Sequence, residues 1–124
     1  LPTFVFSKMS VMADVATLTF LQAYKSDIEL LCRQYHVKQL YLFGSVLTKK
    51  FRPDSDLDFL VTFQGVEPLE YADNFFDFRD ALAQLFQRKV DLVESQTLKN
   101  PYFKSAVDAT KVIVYGGPDR EMAA

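Results

Sequence analysis

One cysteine and one histidine in 124 residues leave this chain little material for disulfide or imidazole chemistry. Cys32 has no second cysteine to pair with and sits among apolar residues on an expected helix, so it reads as a reduced core thiol. His36, near the end of that helix, reads as a solvent-facing or charge-complementing terminal residue with no catalytic role. An excess of positive charge is also missing. Fourteen Lys and Arg stand against sixteen Asp and Glu, a net charge of −2, which excludes a protein that grips long nucleic acid through a basic face. No apolar run approaches the length of a membrane-spanning helix, and no basic segment followed by an apolar stretch opens the chain. A cytoplasmic location is therefore expected. Internal repeats and low-complexity tracts are absent.

What the chain has is apolar and aromatic mass: 49% hydrophobic residues and twelve phenylalanines, enough for the core of one domain. Ser26-Asp27-Ile28-Glu29 carries a capping-box pattern. It is followed by Ile28, Leu31, Cys32 and Tyr35 at helical spacing. An earlier helix is expected from about Met12 to Tyr24, with Val15, Leu18 and Leu21 on one side and Val11 or Phe20 at its margins. The longest helix is expected over about Leu69 to Arg88, where Tyr71, Phe75, Phe78, Leu82 and Leu85 alternate in spacings of four and three. Phe76 and Phe86 widen that stripe, and the aromatic excess leaves room for a partner surface, taken by a second copy or a helical protein. Asn100 and Pro101 read as cap and first-turn residue of a last helix reaching about Asp108, and Val112 to Tyr115 as a closing strand.

The chemistry is concentrated in YLFGSVLTKKFRPDSDLDFLVTF. Tyr41-Leu42-Phe43 is a β-favourable run cut off by Gly44, whose missing Cβ lets a phosphate approach the amides of the turn. Ser45 adds a hydroxyl donor. Arg52-Pro53-Asp54-Ser55 is a turn cluster that ends the short segment from Val46 to Phe51. On the strand that follows, Asp56 and Asp58 point to one face while Leu57 and Phe59 point to the core. Two carboxylates side by side repel, and a divalent cation of the magnesium or manganese type relieves that repulsion. For an isolated Asp-x-Asp the plainer reading is a solvated strand edge. Lys89-Val90-Asp91-Leu92-Val93 offers a second short strand that could bring Asp91 beside the pair, giving three oxygen ligands with open positions for water and phosphate.

These residues resemble a known family, the minimal nucleotidyltransferases of the DNA polymerase β-like superfamily. Its motif is Gly-Ser, about ten residues, Asp-x-Asp and then a third Asp. The likeness runs from roughly Val37 to Tyr115 and includes Phe43-Gly44-Ser45, Asp56-Leu57-Asp58 and Val90-Asp91-Leu92-Val93. It implies an α+β fold, a two-layer α/β sandwich with a mixed β-sheet flanked by helices. Residues 12–117 would then form a single nucleotidyltransferase domain, 1–11 an N-terminal extension or expression remnant, and 118–124 a tail. Many relatives carry arginine at the first and third positions after Gly-Ser, where this chain has Val46 and Thr48. Lys49 and Lys50 could replace that charge near a triphosphate, without arginine's bidentate grip, or form a solvated basic turn.

The resemblance further implies a two-metal centre using ATP or another nucleoside triphosphate. One Mg²⁺ (or Mn²⁺) would be held by Asp56, Asp58 and Asp91 and a second by Asp56 and Asp58, with Gly44 and Ser45 positioning the phosphate tail. It points to the antitoxin half of a toxin-antitoxin pair, which transfers AMP to a tyrosine of a HEPN ribonuclease. Two other readings stand beside it. One is a stand-alone enzyme modifying a small hydroxyl compound such as an antibiotic, and the other is a catalytically faded module that neutralises a partner by binding it.

Overall fold

The computed structural model of the chain describes residues 15–44 and 56–116. Two helices open it, α1 (Val15–Ala23) and α2 (Lys25–Gln34), followed by strands β1 (Val37–Phe43) and β2 (Leu57–Phe63). After a single 3₁₀ turn at Pro68–Glu70 come α3 (Tyr71–Phe86), β3 (Val90–Glu94), a second 3₁₀ turn at Ser95–Thr97, α4 (Pro101–Thr110) and β4 (Val112–Tyr115). The strands form one mixed sheet in the order β3-β2-β1-β4. β1 pairs antiparallel with both β2 and β4, whereas β2 and β3 are parallel. A parallel pair needs a crossover, and α3 supplies it. The expected α+β architecture is the one observed.

Alternation along β2 decides which side chains meet. Leu57, Phe59 and Val61 are fully buried, and Phe59 stacks on Phe86 of α3 at 5.9 Å between ring centroids. Their neighbours Leu42 and Leu40, opposite Phe59 and Val61 in β1, extend the same apolar face. Against it lie Ile28 and Cys32 of α2 and Phe78, Leu82 and Phe86 of α3, all buried at helical spacing. Phe20 of α1 joins this layer through rings 5.3 Å from Phe86 and 5.1 Å from Tyr24. On the opposite face of the sheet, Asp58 stands across from Phe43, and the Phe43 ring meets Phe103 of α4 edge-on at 6.2 Å.

Several local expectations change. Ser26 does not cap α2: the helix already begins at Lys25, the N-cap position is Tyr24, and no side-chain cap bond forms there. The turn from α1 supplies the start instead, with Ile28 N donating to the Tyr24 carbonyl. The longest helix is shorter than its pattern at both ends. Leu69 falls in the 3₁₀ turn and is almost wholly exposed, and Gln87 ends the helix in the left-handed conformation with φ 55°. Phe76 leaves the core stripe; it is 47% exposed, with the Arg79 guanidinium 4.9 Å above its ring. Phe86, by contrast, lies at the centre of the core.

Asn100 caps α4 as its sequence suggests, its side-chain oxygen accepting from Tyr102 N and Phe103 N, with Pro101 in the first turn. His36 is exposed in the turn before β1, and its carbonyl accepts from Gln64 N. The part of the expected first helix before residue 15, the Val46–Phe51 segment, the Arg52-Pro53-Asp54-Ser55 turn and both chain ends lie outside the described residues. Among the described residues no helix is long and apolar enough to cross a membrane.

Candidate active site

β2 and β3 set the site by their register. In the parallel pair Asp58 is opposite Asp91, flanked by Leu57 opposite Val90 and Phe59 opposite Leu92. Because successive side chains alternate, the two aspartates emerge on the same face of the sheet, away from the core. Asp56 precedes β2 and is exposed, Asp58 is half-buried and Asp91 exposed. The Asp91 carboxyl neighbours Asp58 closely enough to act on its protonation.

The Asp58 carboxyl is pushed up to about 6, first by burial, then by the neighbouring Asp91 carboxyl and the negative charge of Asp56; the Lys89 ammonium works in the opposite direction. A proton held on Asp58 relieves part of the repulsion that the sequence predicts for this acidic cluster.

Gly44 borders the same group. It has φ +90°, a conformation that side-chain-bearing residues rarely adopt, and a Cβ there would run into Asp58 Oδ2. Glycine therefore does two jobs at the end of β1: it turns the chain and leaves room for the carboxylate. Only the first is visible in the sequence.

An open cleft of about 870 Å³ lies over this end of the sheet, with Gly44, Asp58, Lys89 and Asp91 in its wall. Phe43, Phe103 and Val107 supply an apolar side, and Arg79 approaches from α3. Ser45, Lys49 and Lys50, expected to contact phosphate, lie outside the described residues, as do Val46 and Thr48. Sequence reasoning missed Lys89, Phe103 and Arg79. A signal for Lys89 was available, since it stands two residues before Asp91 and so shares its face of a strand.

The donor chemistry suits a hard divalent cation, with carboxylate oxygens of Asp58 and Asp91 on one face of the sheet. Among the described residues, no three Asp, Glu, His or Cys side chains are gathered closely enough to hold a metal ion.

Facing aspartates on a parallel strand pair, a glycine turn beside them and an open cleft above define a nucleotide-handling catalytic domain. The chain belongs to the nucleotidyltransferase domain family, whose match spans residues 26–114, and is an enzyme of that type. A candidate protein adenylyltransferase of Methanocaldococcus jannaschii is 36% identical over 86 residues, covering 69% of this chain and 85% of the relative. Among solved structures, a complex of a tri-AMPylated Shewanella oneidensis HEPN toxin with an MNT antitoxin contains a chain that superposes with a TM-score of 0.56. The identity is 19%, over 83% of this chain and 78% of that one. A toxin-antitoxin complex with AMP-PNP gives a TM-score of 0.58 at 20% identity, covering 80% and 78%. These two likenesses concern the fold.

Proposed function

We propose that this protein is a divalent-metal-dependent adenylyltransferase that moves AMP from ATP to a tyrosine hydroxyl of a HEPN toxin and thereby acts as an antitoxin. The observation that carries the reading is the Asp58–Asp91 pair, held in register on adjacent strands beside Gly44. The similarity to a candidate protein adenylyltransferase supports the adenylate, and the fold shared with toxin-antitoxin complexes supports the partner.

In this reading Asp58 and Asp91 would hold magnesium or manganese, with Asp56 drawn in from just before β2 to complete the ligand set. Such an ion would activate the acceptor hydroxyl and neutralise the charge that builds on the phosphates. The tyrosine oxygen forms a bond to the α-phosphorus, the bond from that phosphorus to the β-phosphate bridging oxygen breaks, and pyrophosphate leaves while the hydroxyl proton passes to solvent. Asp58 must first give up its proton, so the site is competent once that carboxyl is ionised. Gly44 keeps the Asp58 carboxylate free to turn toward the cleft, and Ser45 with the turn amides steadies the phosphate tail. Phe103, 46% exposed at the cleft, provides an apolar wall that limits water on one side.

The test incubates the chain, its HEPN partner and magnesium with ATP labelled at the α-phosphate. Label should appear on a partner tyrosine and vanish with Asp56→Asn or Asp58→Asn. Label that persists in both variants contradicts the mechanism. A stable complex without label would favour the binding module instead.

A further inference from the structure

We propose that Lys89 is the phosphate-positioning cation of this site, acting on the ATP polyphosphate from the β3 side of the cleft in place of the arginines missing after Gly44-Ser45. The inference rests on the function proposed above and adds a residue that the aspartate motif does not contain.

Four observations carry it. The Lys89 carbonyl accepts from Leu57 N at 3.1 Å, which extends the β2–β3 ladder by one residue and fixes the strand direction at this point. With that backbone extended, the Lys89 side chain leaves the sheet on the same side as Asp91, two residues on, and Lys89 lines the same cleft as Gly44, Asp58 and Asp91. Lys89 is exposed and, among the described residues, forms no ion pair. Among the described residues the other cation in the cleft wall, Arg79, is already engaged, bound to Asp80 at 3.1 Å and lying over Phe76.

An exposed ammonium beside an acidic pair has two uses. It can offset the carboxylates, or it can meet the triphosphate that arrives with its own negative charge. The open cleft favours the second: a flexible four-carbon stem in its wall can reach an anion that arrives there, and lysine serves phosphate as a point charge. Val46 and Thr48, which follow Gly44-Ser45 in the sequence, carry no charge.

The experiment measures equilibrium binding of ATP, ADP and AMP, with magnesium, to the wild-type chain, Lys89→Met and Lys89→Arg. It then determines KM and kcat for the adenylate transfer. Because the structural bond of Lys89 uses its backbone carbonyl, all three proteins should melt alike. Lys89→Met should weaken ATP about tenfold and leave AMP nearly unchanged, with the loss appearing in KM for ATP, and Lys89→Arg should restore most of it. Equal affinity of Lys89→Met and wild type for ATP overturns the inference, as does an equal loss for ATP and AMP. If the wild type binds ATP but transfers nothing, the functional reading fails while the binding comparison still decides the role of Lys89. A wild-type chain that binds no ATP overturns both.

Discussion

Asp58 and Asp91 face each other across neighbouring parallel strands, and burial together with the neighbouring Asp91 raises the Asp58 carboxyl. That shift lets Asp58 hold a proton when no cation is present. It also gives the site a pH dependence with a definite sign.

A carboxyl held at about 6 in the fold has an unfolded value near 3.9. The folded chain therefore binds more protons than the unfolded chain between these limits. The stabilisation from this group is complete below about pH 4 and is lost as pH rises through about 6. Urea denaturation of the metal-free chain across that window should show stability falling with pH from this source, and Asp58→Asn should flatten the dependence. An unchanged pH profile in the variant would show that the proton is not held there.

Gly44→Ala should damage the site and the fold together. The backbone is at φ +90°, and the added Cβ displaces the Asp58 carboxyl. Left-handed strain alone costs about 1–3 kcal/mol. The expected outcome is a lowered urea midpoint together with loss of adenylate transfer, whereas Gly65→Ala, where a Cβ would meet open space, should lose stability through its positive φ but retain transfer.

Phe78 is fully buried, with rings of Phe63 at 5.9 Å and Tyr35 at 5.7 Å. Phe78→Ala should cost about 3–5 kcal/mol in chemical denaturation. Leu69→Ala, at an almost wholly exposed position, should stay within about 0.5 kcal/mol of wild type. Similar costs for the two would mean that α3 does not pack as described.

Cys32 has no exposed surface, and burial pushes its thiol up to about 12. Thiolate is the reactive form. Alkylation of the native chain at neutral pH should be negligible and should become fast only in denaturant; rapid labelling under native conditions would contradict the packing of α2 on the sheet.

The sequence pattern was informative where a period of two or of three to four residues is enforced by burial. Leu57-Asp58-Phe59 predicts the alternation seen in β2, and Phe78 and Leu82 fall on the core face of α3. It misled where local chemistry competes with neighbouring structure. Ser26 has the composition of a cap, yet the preceding turn had already started the helix. Phe76 is apolar but lies one step off the buried stripe, where Arg79 covers it. The contact of Asp58 with Asp91 and the fit of Gly44 around Asp58 join residues far apart in the chain. No local pattern encodes them; they depend on strand order and register.

The most direct test of the central claim, that these aspartates form one divalent-cation site, is a Mn²⁺ titration followed by electron paramagnetic resonance together with proton release. At about pH 6, where Asp58 is partly protonated, binding should expel a proton from Asp58. Asp58→Asn and Asp91→Asn should each lose most of the affinity, and Asp58→Asn the proton release as well. Full Mn²⁺ affinity in Asp58→Asn, or binding by the wild type with no proton released at that pH, would contradict the account.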